Sequence, residues 1–164
     1  MTKRSRAAHA VATDQIAAAH VPLSEHEGEY QLEVQIGFIL RRAHQRASAI
    51  FHEHFRDAGL SPVQFSALVR IRDKGRVSQN ELGRLIHMDP ATTMGVISRL
   101  ASRNLVRRNA DPDDRRRTLL GITSDGLRLV EDCERLGRQV SMETLKPLNE
   151  NERAVLFGLL QKIS

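Results

Sequence analysis

The sequence predicts a mainly α fold, a winged helix-turn-helix flanked by long N- and C-terminal helices that form a dimerisation region. Three observations carry this. Apolar residues recur at three- and four-residue spacing in long stretches toward both ends of the chain. Between them stand three helix starts with strong capping signals, two of the helices being joined by a very tight turn. A short strand, an acidic turn and a return strand follow directly, as a wing follows a recognition helix.

The elements are justified in order. Residues 1–29 form a polar, Ala-rich extension opened by Lys3, Arg4 and Arg6, with a short helix placed at Thr13 to His20. From Tyr30, the positions Leu32, Ile36, Ile39, Leu40, Ala43, Ala47, Ile50, Phe51 and Phe55 mark one long amphipathic helix, stopped at Gly59 by a left-handed cap. Ser61-Pro62-Val63-Gln64 reads as an N-cap, a first-turn proline and a capping-box glutamine, with Leu60 and Phe65 as its hydrophobic staple. That helix ends at Gly75. Ser78 to Glu81 reads as a second capping box, stapled by Val77 and Leu82, and Asp89-Pro90 starts a helix that reaches Arg103. Asn104 takes the left-handed position that usually falls to glycine. Leu105 to Arg108 and Thr118 to Ile122 are the strands of a hairpin, turned by Asp111-Pro112-Asp113-Asp114. Thr123-Ser124-Asp125 caps a long helix, Lys146-Pro147 interrupts it, and Asn149 opens the last. The organisation expected is an extension (1–29), dimerisation helices (30–60 and 124–164) and a winged-helix domain (61–123).

Composition narrows the function. The 164 residues hold 25 Lys and Arg against 20 Asp and Glu, a formal net charge of +5, which favours a polyanionic partner. The single cysteine, Cys133, rules out a disulfide framework and a cysteine-rich zinc site and suits a reducing cytoplasm. No stretch near the N-terminus is long and apolar enough for a signal core or a membrane span. With no Trp and one Tyr, a platform of stacked aromatics is excluded as the way nucleic acid is held.

Several short runs together resemble the MarR family of bacterial transcriptional regulators, over about residues 32–164. Asp111-Pro112-Asp113-Asp114-Arg115-Arg116-Arg117-Thr118-Leu119-Leu120-Gly121-Ile122-Thr123 is similar to the family's wing, and Leu60-Ser61-Pro62-Val63-Gln64-Phe65 to the start of its second helix. Leu82, Leu85, Asp89-Pro90, Leu100 and Leu105-Val106 fall in register. The resemblance implies a homodimer that binds a pseudo-palindromic double-stranded DNA operator. It also implies release of that operator by a small effector, often an aromatic acid or phenol.

The helix from Asp89 to Arg103 is expected to bury Thr93, Val96, Ile97 and Leu100 and to turn Ala91, Thr92, Gly95, Ser98 and Arg99 outward. Small outward residues permit close approach to a groove floor, and Thr92 and Ser98 offer hydroxyls to base edges or phosphates. Arginines at a hairpin tip suit a narrow minor groove. The resemblance gives that role to Arg115 or Arg116, with Asp114 bracing the loop. On the first long helix, Arg41, His44, Ser48 and Phe51 share one broad face, a cation, a titratable ring, a hydroxyl and an aromatic suited to a flat anionic effector.

Other chemistries have less support. His52 and His54, two apart on a helix, point to different faces and do not share an ion, so neither metal nor cofactor is expected. Cys133 lies on an apolar helical stripe and reads as a small hydrophobe. No nucleophile-base set, phosphate loop or catalytic carboxylate pair is present, so no enzymatic activity is expected. The alternatives weighed are an architectural DNA-binding protein without an effector, and a dimeric scaffold for which the arginine-rich wing is incidental.

Overall fold

The structure is a computed structural model that describes residues 30–112 and 118–164. The helix expected at Thr13 to His20 and the wing residues Asp113 to Arg117, including Asp114, Arg115 and Arg116, lie outside the described residues. The chain divides into two compact units, Met1–Arg42 and Ala43–Ser164, the division falling within the first long helix.

Where one helix was expected from Tyr30, a 3-10 turn spans Leu32–Val34 and Gln35 is extended, so that α1 runs Ile36–His54. Apolar spacing did not reveal the break, because a short turn followed by a helix keeps nearly the same face. Phe55 to Gly59 turn out of α1, and Gly59 takes φ 59° as its N–H donates to the Phe55 carbonyl. α2 (Pro62–Lys74) opens with the complete capping box, the Ser61 N–H donating to Gln64 Oε1 (2.9 Å) and the Gln64 N–H to Ser61 Oγ (3.3 Å).

The second capping box is only half made. Ser78 Oγ accepts from the Glu81 N–H at the start of α3 (Gln79–Leu85), but the reciprocal Glu81 bond is not among the described ones. Val77–Ser78 instead also forms a short strand, β1. It pairs antiparallel with β3 (Thr118–Ile122), whose other edge carries β2 (Val106–Ala110). The wing is therefore the outer hairpin of a three-stranded sheet ordered β1-β3-β2, one strand more than the pattern predicted.

α4 (Pro90–Ser102) follows α3 after a turn in which His87 is left-handed, φ 53°. The two helices meet closely. A Cβ on Gly83 would stand 3.0 Å from Thr93 Oγ1 and 3.1 Å from the Met88 carbonyl oxygen, so this crossing favours glycine, and a larger residue would push the two helices apart by a few tenths of an ångström. Thr93, fully buried, satisfies its hydroxyl on the Asp89 carbonyl (2.8 Å).

Asn104 is left-handed as expected, φ 56°, and it organises the junction after α4. Its carbonyl accepts from Thr123 Oγ1 (2.7 Å) and its amide donates to Asp125 (3.2 Å). Thr123 also caps α5 (Ser124–Thr144) through the Gly126 N–H. α6 (Glu150–Ile163) begins with a reciprocal capping box between Asn149 and Glu152.

The core of the second unit gathers Phe51, Phe55, Leu68, Ile71, Leu100 and Val130 from α1 and the turn after it, α2, α4 and α5. Burying each such side chain contributes about 1.5–3 kcal/mol. Cys133 is part of this core, 2% exposed. α6 by contrast has no buried residue, and Val155, Phe157, Leu159 and Ile163 are about half exposed or more. Among the described residues no helix is long and apolar enough to cross a membrane.

Candidate nucleic-acid interface

α4 separates its faces as its sequence requires. Thr93, Val96, Ile97 and Leu100 are at most 4% exposed, holding the helix against its own lobe. Ala91, Thr92, Ser98 and Arg99 are exposed, and Gly95 is half-buried with only the flexible end of Arg99 within 4.0 Å of where a Cβ would stand. Met94, also outward, is 54% exposed.

Thr92 is more constrained than its sequence position suggested. Its hydroxyl donates to Asp89 Oδ2 (2.6 Å) while its N–H donates to Asp89 Oδ1 (2.9 Å). The hydroxyl bond above all, then the N–H bond, holds the Asp89 carboxyl below its ordinary value. Thr92 therefore presents a methyl group and acceptor lone pairs outward, its own proton being engaged. Ser98 is tied to the sheet, its Oγ accepting from the Arg108 guanidinium (3.3 Å). This bond between recognition helix and wing strand has no counterpart in the sequence pattern. Arg107, exposed on the same strand, adds positive charge.

The end of α4 is fastened to the turn after α1. Arg103 donates to the carbonyl oxygens of Gly59 (2.6 Å) and Ala58 (2.9 Å). Sequence reasoning missed this residue, because bonds to backbone carbonyls leave no mark in side-chain patterns.

The residues expected on the effector face of α1 fall in both units. Arg41 belongs to the first unit, where its guanidinium lies 5.2 Å from the Phe38 ring centroid. His44 and Ser48 belong to the second unit, 3.4 Å apart on α1, His44 exposed and Ser48 half-buried. Phe51 is 8% exposed and stacks on Phe55 with ring centroids 3.8 Å apart, so it serves the core rather than standing open on that face. An apolar groove lies between α2 and α5, with Phe65, Val69, Gly137 and Met142 among its walls.

The remaining candidates are placed plainly. His54 Nε2 donates to Glu143 Oε2 (2.8 Å), while His52 stands edge-on to the Phe51 ring. Burial pushes the Cys133 thiol up, with Asp132 adding to the effect, which opposes thiolate chemistry there.

Comparisons with known proteins agree with this architecture. The MarR family model matches residues 60–118. The repressor NicR of Pseudomonas putida is 37% identical over 134 residues, which is 82% of this chain and 85% of NicR. The structure of Bordetella bronchiseptica BpsR, described in a study of how 6-hydroxynicotinic acid regulates its DNA binding, is 39% identical. It superposes with a TM-score of 0.80 over 83% of this chain and 97% of that one. A mutant of Escherichia coli MarR bound to operator DNA is 26% identical, with a TM-score of 0.74 over 78% of this chain and 92% of its own. With the family model matched across the helix-turn-helix and a 37%-identical relative aligned over four-fifths of its length, the chain belongs to the MarR family of winged helix-turn-helix transcriptional regulators.

Proposed function

We propose that the protein is a homodimeric repressor that binds a pseudo-palindromic operator and is released by a small aromatic acid or phenol. The observation that carries the DNA reading is the outward face of α4. Ala91, Thr92, Ser98 and Arg99 are exposed beside the basic strand β2, while the opposite face is fully committed to the core. Two such helices, related by a dyad, enter successive major grooves about 34–36 Å apart. The minor-groove contact is assigned to Arg115 or Arg116 and the bracing role to Asp114, as the family resemblance implies.

The exposed apolar surface of α6 supports the dimer, since large exposed apolar patches mark interaction sites. NicR's description as a repressor and BpsR's regulation by 6-hydroxynicotinic acid support repression and an anionic aromatic effector. The α1 face at His44 and Ser48, with Phe51 beneath it, is the place we assign to that effector. For the effector to act, it must prefer the state of the protein that does not fit the operator.

Gly95→Ala tests the DNA reading. The added methyl meets only the flexible end of Arg99 at ordinary contact distance, so folding stability is unchanged or gains by up to about 1 kcal/mol. Operator affinity, measured by fluorescence anisotropy, is expected to fall. Unchanged operator binding in a normally folded variant overturns the placement of this face in the groove.

A further inference from the structure

We propose that the crevice between α1, α5 and the beginning of α6 is a second small-molecule site, selective for compact organic anions that carry carboxylates. It stands apart from the α1 face at His44 and depends on no part of the effector reading. The crevice encloses about 620 Å³, and its walls include Arg46 from α1, Met142 and Glu143 from α5, Lys146 from the following turn, and Arg153 from α6. That volume suits a small ligand.

Charge is the main argument. Three cations from three separate segments meet around one carboxylate, Glu143, which already accepts from His54 at 2.8 Å. Among the described residues, neither Arg46 nor Lys146 has a carboxylate partner, and the Arg153 side chain bonds only the Leu145 carbonyl, through Nε at 3.2 Å. The contrast lies elsewhere on α2 and α5. Arg128 has Asp125, Arg138 has Glu134, and Arg72 has both Asp73 and Glu134. Like charges confined in one crevice repel, and a bound anion relieves that repulsion while giving each guanidinium a fork-shaped acceptor.

The remaining wall favours an organic anion over a bare inorganic one. Met142 is 68% exposed and offers a polarisable apolar surface against which a ring or short chain packs. The geometry of α1 makes the site distinct. At about 100° and 1.5 Å per residue, His44 lies about 160° around the helix from Arg46 and roughly 15 Å along the axis from His54, and it is not among the walls of the crevice. A ligand in the crevice ties α1, α5 and α6 together, and these are the elements that flank the DNA-binding lobe.

The test uses the full chain, with the non-aromatic propane-1,3-dicarboxylate and the neutral propane-1,3-dicarboxamide as probes, followed by calorimetry and thermal shift. The dicarboxylate is expected to bind and to raise the melting temperature, while the dicarboxamide does neither. Arg46→Gln, Lys146→Gln and Arg153→Gln each weaken binding by about tenfold or more, and His44→Ala leaves it unchanged. Arg46 and Lys146 are exposed, so those two variants decide the matter even if the half-buried Arg153 proves necessary for folding. The proposal is overturned if about 5 mM dicarboxylate gives neither heat nor a stability shift. It is overturned equally if the glutamine variants bind as the parent does, or if only His44→Ala abolishes binding, which places the ligand on the effector face instead. Sedimentation provides the last check: glutamine variants that dissociate to a smaller species show that a second copy of the chain, and not a ligand, neutralises these cations.

Discussion

The guanidinium of Arg103 grips the backbone at Gly59, its Nη1 standing 2.6 Å from that carbonyl oxygen while Nη2 reaches Ala58. The bond links the last turn of the recognition helix to the exit of the first long helix. Arg103→Ala removes two charge-assisted hydrogen bonds whose acceptors water can partly satisfy, so the expected loss of stability is about 1 kcal/mol. Arg103→Lys should recover only part of it, because a single ammonium does not reproduce the fork. Urea unfolding checks both. A lysine variant as stable as the parent would show that charge alone, and not the paired geometry, matters.

Two helical glycines, Gly126 in the first turn of α5 and Gly158 in the second half of α6, should respond in opposite directions to alanine. A Cβ on Gly126 would fall within the van der Waals radius of the Leu105 carbonyl oxygen and stand 2.9 Å from Ile122 Cγ1, so Gly126→Ala should cost about 2–3 kcal/mol or prevent folding. Gly158 on α6 has nothing within 4 Å, and Gly158→Ala should add about 0.5–1 kcal/mol through helix propensity. Thermal melts of the two variants measured side by side decide this, and a destabilised Gly158→Ala would point to close packing of α6 against another chain.

The Glu134 carboxyl is held below its ordinary value of 4.5, first by the hydrogen bond from Arg72 and then by that cation's charge. The stabilisation from this lowered value is present above pH 4.5 and is lost as pH falls through the folded-state value. Glu134→Gln should therefore be less stable than the parent at neutral pH, and the difference should vanish in acid. Urea midpoints collected across the acid range test this. A gap between the two proteins that stays constant with pH would mean that Glu134 acts through packing rather than charge.

His87 occupies the left-handed region without being glycine, which costs about 1–2 kcal/mol for a residue with a Cβ. His87→Gly should recover roughly 0.5–1 kcal/mol of this, the rest being offset by glycine's greater freedom when unfolded. Asn104→Gly should gain less, because it also gives up the side-chain bond to Asp125. Equilibrium unfolding of the two variants ranks them, and a gain at Asn104 larger than at His87 would contradict the account.

Much of this architecture was legible because it is written locally. Ser61, Asp89, Thr123 and Asn149 cap helices through bonds reaching only three residues ahead. Gly59, Gly75 and Asn104 declare left-handed turns by residue type, and the buried side of α4 follows from its helical period. What escaped reading depends on distant or atypical partners. β1 is two residues long and exists only because Leu119 and Leu120 return to pair with it. His87 turns left-handed with no glycine to announce it. Phe51 shares a helical face with His44 and Ser48, but its stacking on Phe55 places it in the core. The crevice at Arg46 joins residues about a hundred positions apart, as does the His54–Glu143 bond on its wall.

The contact between Gly83 and Thr93 also sets how such a protein can diversify. The close approach at Gly83 packs α3 and α4 tightly at this point, and tight packing couples a tilt of the recognition helix to its companion. In the function proposed above, the angle of entry into a groove is thus inherited with α3 and α4 together, and new operator preferences are written in the outward residues at 91, 92, 95, 98 and 99. Lineages descended from this chain should vary at those letters while leaving the hinge-free elbow beneath them alone.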